Sequence, residues 1–331
     1  MGALILARAL ADPAGTAVLD AAAWTALLTV ARAEQLLGTL AHRLDGLPVP
    51  GEVQNSLADA RAWAAHERRT ALWEAEMARR ALAPLGVPVV LLKGSAYAAA
   101  GLAAGQGRSI GDLDILVSRD ALPDVEQALI SAGWQWVKPD AYDDFYYREW
   151  MHELPPLIHR ERDRMIDVHH SILPLTARPT PDAAALIADS IALENGLRIL
   201  SPADMIVHSA AHLFADGDLT GGLRNLWDIN CLLTEFGTTE VEERACRHGL
   251  LGVTMRAARL SAALFGTTIP EGWHRRDALD PLFRRRLLAR DGWGRGRRPL
   301  TRAAFYIRSH ALRMPPTMLA RHLWTKWRRG A

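Results

Sequence analysis

The stretches Val87-Pro-Val-Val-Leu-Leu-Lys-Gly-Ser95 and Asp112-Leu-Asp-Ile-Leu-Val117 decide the fold of this chain. Each contains a short apolar run rich in β-branched residues, which is typical of a buried strand. The small residues from 95 to 104 predict a short helix, with Ser95 as its N-cap. We therefore expect a strand, a tight turn, a helix and a second strand in close succession.

The residues before this unit have apolar side chains at helical spacing, as in Trp24, Leu27 and Leu28. Pro48 and the residues just after it divide this region into two helical parts. The second part is expected to end near Gly86, where glycine and a following proline supply a stop signal.

The residues after it alternate between strand and helix signals. A helix is predicted over 120–132, and further strands are predicted around 134–138, 144–150 and 164–170. Helical patterning returns from about residue 173. The predicted fold class is therefore α+β, a small mixed-sheet core flanked by helical regions.

These signals divide the chain into three expected regions. They are an N-terminal helical region over residues 1–86, an α/β core over 87–172, and a helical C-terminal domain with a basic tail over 173–331. Apolar residues make up 49% of the chain and charged residues 23%, which is an ordinary globular balance.

The two cysteines, Cys231 and Cys246, form no Cys-x-x-Cys pair. A disulfide framework and a cysteine-based zinc cluster are therefore not expected, and a reducing compartment fits best. No apolar run approaches the roughly 20 residues that a membrane-spanning helix needs. The apolar start also lacks the features of a signal peptide. We expect a cytoplasmic protein with no transmembrane segment.

Charge is distributed unevenly along the chain. The net charge is +2, but residues 281–331 contain 14 Lys or Arg and a single acid, Asp291. The same segment holds Trp293, Trp324 and Trp327, and a basic, aromatic surface can bind nucleic acid or an anionic membrane. Alternatively, the basic segment docks on the acidic remainder of the chain or forms a solvated helix face.

Two aspartates on the second predicted strand are candidate metal ligands. Side chains two apart on a strand share a face, so Asp112 and Asp114 project together. Neighbouring carboxylates repel unless a cation lies between them, and Mg²⁺ favours carboxylates together with phosphate oxygens. Asp167, in another strand-like run, is the expected third acid. His169 shares its face and is placed either to orient a carboxylate or to contact substrate.

The turn after the first strand is a candidate phosphate site. Gly94 and Ser95 would present backbone N–H groups at the start of a helix. Lys93 and Arg108 would supply positive charge to a triphosphate. For each cation the alternative is an ordinary solvated side chain.

Several polar residues of the C-terminal region also fall at helical spacing. Asp204, His208 and His212 lie on one helix face, and the two histidines have zinc-ligand spacing. The alternatives are buried, hydrogen-bonded histidines or a helix face that closes a substrate cleft. Arg224 and Asp228 form either a simple intrahelical ion pair or a pair that directs Arg224 towards phosphate.

The combination Leu91-Leu-Lys-Gly-Ser95, Arg108 and Asp112-Leu-Asp-Ile-Leu-Val117 resembles the polymerase-β-type nucleotidyltransferase superfamily. It is most similar to an uncharacterised family with an "LKG … R … DLD" core. Later segments around Ser201–His208 and Arg224–Asp228 look like the helical C-terminal part of that family. The resemblance covers roughly residues 85–235.

This resemblance implies a site for each group of residues. Gly94 and Ser95 would lie at the triphosphate. Asp112 and Asp114 would hold one or two Mg²⁺ ions, which Mn²⁺ can replace, and Asp167 would be a third ligand or a general base. The implied reaction moves a nucleoside monophosphate from ATP or another nucleoside triphosphate to an acceptor.

Other functions are consistent with the same residues. The same site could tailor a peptide or a saccharide with a different group. A different class of protein, a non-catalytic regulator or antitoxin, would bind nucleic acid through the basic tail. The sequence leaves open the acceptor, whether small molecule, peptide or protein, as well as the nucleotide and the oligomeric state.

Overall fold

The computed structural model describes residues 2–138, 140–215, 218–275 and 277–313, together with Trp324 and Arg328. In chain order the α-helices are α1 (Leu4–Ala11), α2 (Ala21–Ala33), α3 (Leu37–Arg43), α4 (Gly51–Leu82), α5 (Lys93–Ala99), α6 (Leu122–Ser131), α7 (Ala141–Trp150), α8 (Ala183–Ala188), α9 (Pro202–Ala215), α10 (Gly222–Phe236), α11 (Val241–Arg247), α12 (Leu251–Phe265), α13 (Asp280–Leu287) and α14 (Pro299–Arg313). The strands are β1 (Val90–Leu91), β2 (Leu113–Leu116), β3 (Trp134–Trp136), β4 (Leu157–His159), β5 (Met165–His169), β6 (Ile191–Ala192) and β7 (Arg198–Ile199).

These strands form one mixed sheet in the order β3-β4-β5-β2-β1-β7-β6. The pairs β2–β5 and β1–β7 are parallel, and the other neighbouring pairs are antiparallel. Helices α1 to α4 precede the first strand and helices α9 to α14 follow the last strand. The predicted α+β class is therefore confirmed. The parallel register of β2 and β5 pairs Asp114 with Asp167, which sets the two carboxylates side by side.

The strand predicted around 144–150 is wrong, because these residues belong to helix α7. The side chain of Asp140 caps the helix by accepting hydrogen bonds from the backbone N–H groups of Tyr142 and Asp143. The Asp144 carboxylate then accepts a bond from Arg148, one helical turn later. These polar helix signals outweigh the strand preference of the aromatic residues between them.

Residues 191–199 correct a second prediction, that the chain is purely helical from about 173 onward. They form the hairpin β6–β7, which turns at Gly196 with a φ of +84°. Strand β7 pairs with β1 and thereby extends the sheet beyond residue 172. The predicted helix over 120–132 is confirmed as α6 with a preceding 3-10 turn at Arg119–Ala121.

One apolar core runs through all three expected regions. Leu27 of α2, Leu91 of β1 and Leu226 of α10 are fully or almost fully buried members of the same cluster. Burial of this kind stabilises by about 25 cal/mol per Å² of apolar surface. The shared core therefore holds the sheet and its strand ends in a fixed position against the C-terminal helices.

Part of the basic segment docks on the rest of the chain. Arg286 forms an ion pair with Asp218, and Arg290 forms one with the buried Glu34. Trp293 is 68% exposed. Trp327 lies outside the described residues. Among the residues that the structure describes, no helix combines the length and the apolar character needed to cross a lipid bilayer.

Candidate active site

Three carboxylates meet where β2 begins, beside the middle of β5. One oxygen from each of Asp112, Asp114 and Asp167 lies within 4.8 Å of the others. Asp114 is buried, Asp167 is half-buried and Asp112 is exposed. The structure therefore brings together the three acids that the sequence selected as metal ligands, and a divalent cation would suit this all-oxygen donor set.

Asp114 is held by two side chains that donate to the same oxygen. The Lys93 Nζ lies 2.7 Å and the His169 Nε2 3.0 Å from Asp114 Oδ1. Burial favours the neutral form of Asp114, but Lys93 and His169 outweigh it and hold the pKa of this carboxyl well below its usual range. Asp114 is therefore ionised, and His169 orients it.

Lys93 reaches this position from an uncommon backbone conformation. Its φ is +49°, a left-handed value that costs a non-glycine residue about 1–2 kcal/mol. Burial opposes the charge on Lys93, but the adjacent Asp114 outweighs it and raises the pKa of the lysine. Lys93 is thus a fixed cation of the site and not a solvated strand-end lysine.

The negative charges of Asp112 and Asp167 are balanced less well than that of Asp114, because Lys93 and His169 both donate to Asp114. Although Asp112 is exposed at the surface of the cleft, its partial desolvation there, followed by the neighbouring Asp114, raises its pKa. Burial, then Asp114 and Glu153, raise the pKa of Asp167 to about 7. Negative charge is therefore in excess at this point of the protein, as expected where a cation binds.

Arg108 lies beneath the glycine turn and is buried. Its Nε and NH2 atoms donate to both carboxylate oxygens of Asp228, with the shortest contact at 2.8 Å. A Cβ at Gly94 would lie 2.4 Å from Arg108 NH1, so only glycine lets the guanidinium pack there. The sequence predicted that Asp228 would pair with Arg224, but the structure pairs it with Arg108.

Arg224 has other partners. Its NH1 donates to Gln35 Oε1 and its NH2 donates to the Ser109 carbonyl, each at 2.7 Å. Its Nε is buried without a hydrogen-bond partner among the described residues. Arg224 therefore has no carboxylate partner in the described structure.

Ser95 is not the N-cap that the sequence predicted. Helix α5 begins at Lys93, because Leu92 adopts the extended cap conformation, and Ser95 falls within the first turn. Its side chain is 1% exposed, and its hydroxyl has no described partner. Lys93 and Gly94 line the cleft of the site, whereas Ser95 lies behind them.

The carboxylates open into a cleft of about 1320 Å³. Its lining also includes Arg224, Arg290 and His212. Helix α7 contributes Tyr142, Asp143, Tyr146 and Tyr147, and Lys138 lies just before this helix. A cleft lined by both acids and arginines can hold a metal–phosphate group.

Sequence reasoning did not select several of these residues. The predicted strand over 144–150 includes Tyr146 and Tyr147 but not Tyr142, and the sequence indicates Arg290 only as part of the basic tail. Glu153 was also missed, although the His152-Glu153 dipeptide is a local signal for a ligand pair. The helix-capping pattern at Asp140 would have placed the tyrosines correctly.

The two α9 histidines with zinc-ligand spacing, His208 and His212, are not grouped with other potential ligands among the described residues. Burial lowers the pKa of His208 well below its usual value. Neither candidate metal group in the described part of the chain contains His208 or His212. Asp204 is fully buried and accepts hydrogen bonds from Arg244 and Ser201, so it has a structural role.

Comparison with known proteins identifies one family over most of the chain. A model of a family described as an uncharacterised nucleotidyltransferase matches residues 20–266. The matched region includes the whole sheet, the three carboxylates and helices α2 to α12. Residues 1–19 and 267–331, which include the basic segment, lie outside it. No curated protein matches the sequence.

Proposed function

Because the chain belongs to this family of uncharacterised nucleotidyltransferases, we propose that it transfers a nucleoside monophosphate from a nucleoside triphosphate to an acceptor. One or two Mg²⁺ ions, or Mn²⁺ in their place, would serve as cofactor. The observation that carries the proposal is the convergence of Asp112, Asp114 and Asp167 in an open cleft.

The residues present fit a divalent cation. Their donors are carboxylate oxygens, which Mg²⁺ prefers, and they have room beside them for phosphate oxygens and water. Desolvation, and then the neighbouring Asp114, raise the pKa values of Asp112 and Asp167, so both carboxylates lack a compensating cation. When bound, the cation would neutralise this charge and polarise the phosphate oxygens.

The protein's own groups have separate tasks in this proposal. Asp167, with its pKa raised to about 7, accepts a proton from the acceptor hydroxyl. Lys93 and His169 keep Asp114 ionised and oriented. Gly94 lines the cleft and would offer its backbone to phosphate, while Arg224 is a cation that lines the same cleft.

The test is nucleotide binding and turnover by the full chain, measured with and without Mg²⁺. Asp112→Asn and Asp114→Asn should weaken Mg²⁺-dependent binding of a nucleoside triphosphate by at least about tenfold. Asp163→Asn is the matched control, because this exposed aspartate lies in the β4–β5 turn with a φ of +53°, which asparagine tolerates. Equal binding by all variants would refute the proposal.

The acceptor can be sought with the same proteins. Each labelled nucleoside triphosphate is incubated with wild-type protein and a lysate, and mass spectrometry identifies products that carry the added nucleoside monophosphate. Products that also form with Asp114→Asn do not come from this site. Transfer of a different group to a peptide or a saccharide would be recognised by the mass added.

A second candidate function is binding of nucleic acid by the basic segment. A separate cleft between α1 and α13 is lined by several arginines, namely Arg8, Arg284, Arg285, Arg297 and Arg298. Arg297 lies near enough to Asp291 to lower the pKa of that carboxyl, whereas Arg290, which also lines this cleft, is paired with Glu34. Steep salt dependence of RNA or DNA binding, lost in an Arg284→Gln/Arg285→Gln variant, supports this function, and unchanged binding excludes it.

A further inference from the structure

A second cluster of potential metal ligands lies beside the carboxylates. It consists of His152, Glu153 and His169, with one ligand atom from each within 4.8 Å of the others. Two imidazoles and one carboxylate form this group, so its donors differ from the all-oxygen set next to it. All three side chains line the large cleft, which gives an ion a route of entry.

The backbone fixes the cluster. Glu153 and His169 are directly opposed in an antiparallel bridge, so their side chains lie on the same face. The N–H of His170 donates to the His152 carbonyl at 2.8 Å, and the N–H of Leu154 donates to the Val168 carbonyl at 2.9 Å. The segment around His152 is therefore pinned along β5, and the three ligands are preorganised.

Two ring nitrogens of the cluster have no hydrogen-bond partner among the described residues. Because an ionised Asp114 only accepts, His169 Nε2 carries the proton between them, which leaves His169 Nδ1 as the ring nitrogen that can bind a cation. That Nδ1 lies 3.4 Å from Glu153 Oε2, which is also an acceptor. His152 Nδ1 is buried without a hydrogen-bond partner among the described residues.

We propose that His152, Glu153 and His169 bind a transition-metal cation, with Zn²⁺ as the best match, separate from the cation held by the three aspartates. Two imidazole nitrogens and one carboxylate oxygen are a common ligand set for catalytic zinc, and a fourth position faces the cleft. Mg²⁺ is disfavoured here because it prefers oxygen ligands.

Zinc at this site also acts on Asp114. A metal-bound histidine commonly donates its other N–H to a carboxylate, and His169 does so to Asp114. The ion on Nδ1 fixes the Nε2–H tautomer and thereby the orientation of Asp114. His169 is in this respect a positioning residue that joins the two sites.

The experiment measures zinc binding without nucleotide, so that its result does not depend on the proposed reaction. Chelator-treated full-length protein is titrated with Zn²⁺ against a chromophoric chelator in the presence of excess Mg²⁺. One zinc ion per chain is expected. His152→Ala and Glu153→Gln should each weaken zinc binding by at least about tenfold.

Two control variants separate this site from its surroundings. His170→Ala removes a neighbouring buried histidine outside the cluster, and Asp112→Asn alters the carboxylate group. Both should retain the affinity for zinc, with folding checked by circular dichroism. Equal zinc affinity in wild type, His152→Ala and Glu153→Gln would overturn the proposal, as would loss of zinc binding in Asp112→Asn.

A measurement on the wild-type protein decides the matter even if a variant does not fold. X-ray absorption at the zinc edge should show the scattering of two imidazole ligands. A first shell made only of oxygen atoms would place the zinc at the aspartates and overturn the proposal.

Discussion

The buried ion pair between Arg108 and Asp228 yields the most sharply defined prediction. It joins the loop before β2 to helix α10, 120 residues away in the sequence. Both side chains are almost fully buried, at 7% and 4% exposure. Asp228→Asn keeps the shape of the side chain but removes its charge and leaves the guanidinium without a counter-ion.

The magnitude follows from this burial. Removing one partner of a buried ion pair costs about 3–5 kcal/mol, because a charge then remains in a medium that solvates it poorly. Whole domains are stable by only about 5–15 kcal/mol. Asp228→Asn should therefore lower the free energy of unfolding by a large fraction of the total, and the urea midpoint should fall by about 1 M or more for a slope of a few kcal/mol per M.

Urea unfolding followed by circular dichroism measures the effect. The matched control is Asp144→Asn, which removes an ion pair to Arg148 whose aspartate is 49% exposed and which should cost about 0.5 kcal/mol or less. The double variant Arg108→Met/Asp228→Leu should recover much of the stability, since buried pairs can often be replaced by apolar residues. A loss for Asp228→Asn no greater than that for the control would refute the reasoning.

Three further predictions concern the turn, a buried network and helix α7. Gly94→Ala forces the buried Arg108 guanidinium to move, and it should lower the free energy of unfolding by about 1–3 kcal/mol and weaken nucleotide binding. The control is Gly111→Ala, because a Cβ there meets nothing within 4 Å. Equal effects of the two substitutions would contradict the packing argument. Burial opposes the charge on Asp204, but hydrogen bonds from His248 and Arg244 outweigh burial and lower the pKa of this carboxyl. Its contribution to stability is therefore present above the unfolded pKa of about 3.9 and is lost as the pH falls further. Asp204→Asn should therefore destabilise the protein by about 3 kcal/mol near neutral pH and flatten the acid limb of its stability curve, whereas an unchanged curve speaks against this role. Asp140→Ala removes the N-cap of α7 and should lower the free energy of unfolding by about 1 kcal/mol. Amide hydrogen exchange should become faster only in residues 141–150, and unchanged exchange there would contradict the capping role.

The grouping of the three carboxylates was predictable because it depends on local rules. Strand alternation puts Asp112 and Asp114 on one face, and an apolar run around Asp167 marks a second strand. Which strands are neighbours is not a local property. The parallel register that opposes Asp114 and Asp167 became visible only in the structure.

The remaining site residues depend on contacts that no sequence spacing reports. Asp228 has an attractive partner one helical turn away, yet its carboxylate binds an arginine from a distant loop. Glu153 enters the site because its segment bridges to β5, although it lies outside any periodic element. Residues 144–150 of α7 resemble a strand because aromatic residues favour strands, whereas the helix signal is the single capping residue Asp140.

The charges at the carboxylates favour a cation site over a static ion-pair network. In a network each acid would have a basic partner, whereas Lys93 and His169 both donate to one oxygen of Asp114. The neighbouring Asp167 is instead only partly ionised near neutral pH, because burial and the adjacent carboxylates raise its pKa to about 7. The fold also maintains Lys93 in a left-handed conformation that costs energy. The divalent metal and bound phosphate that we propose would offset these unfavourable interactions, because they have the required charge and ligand preference.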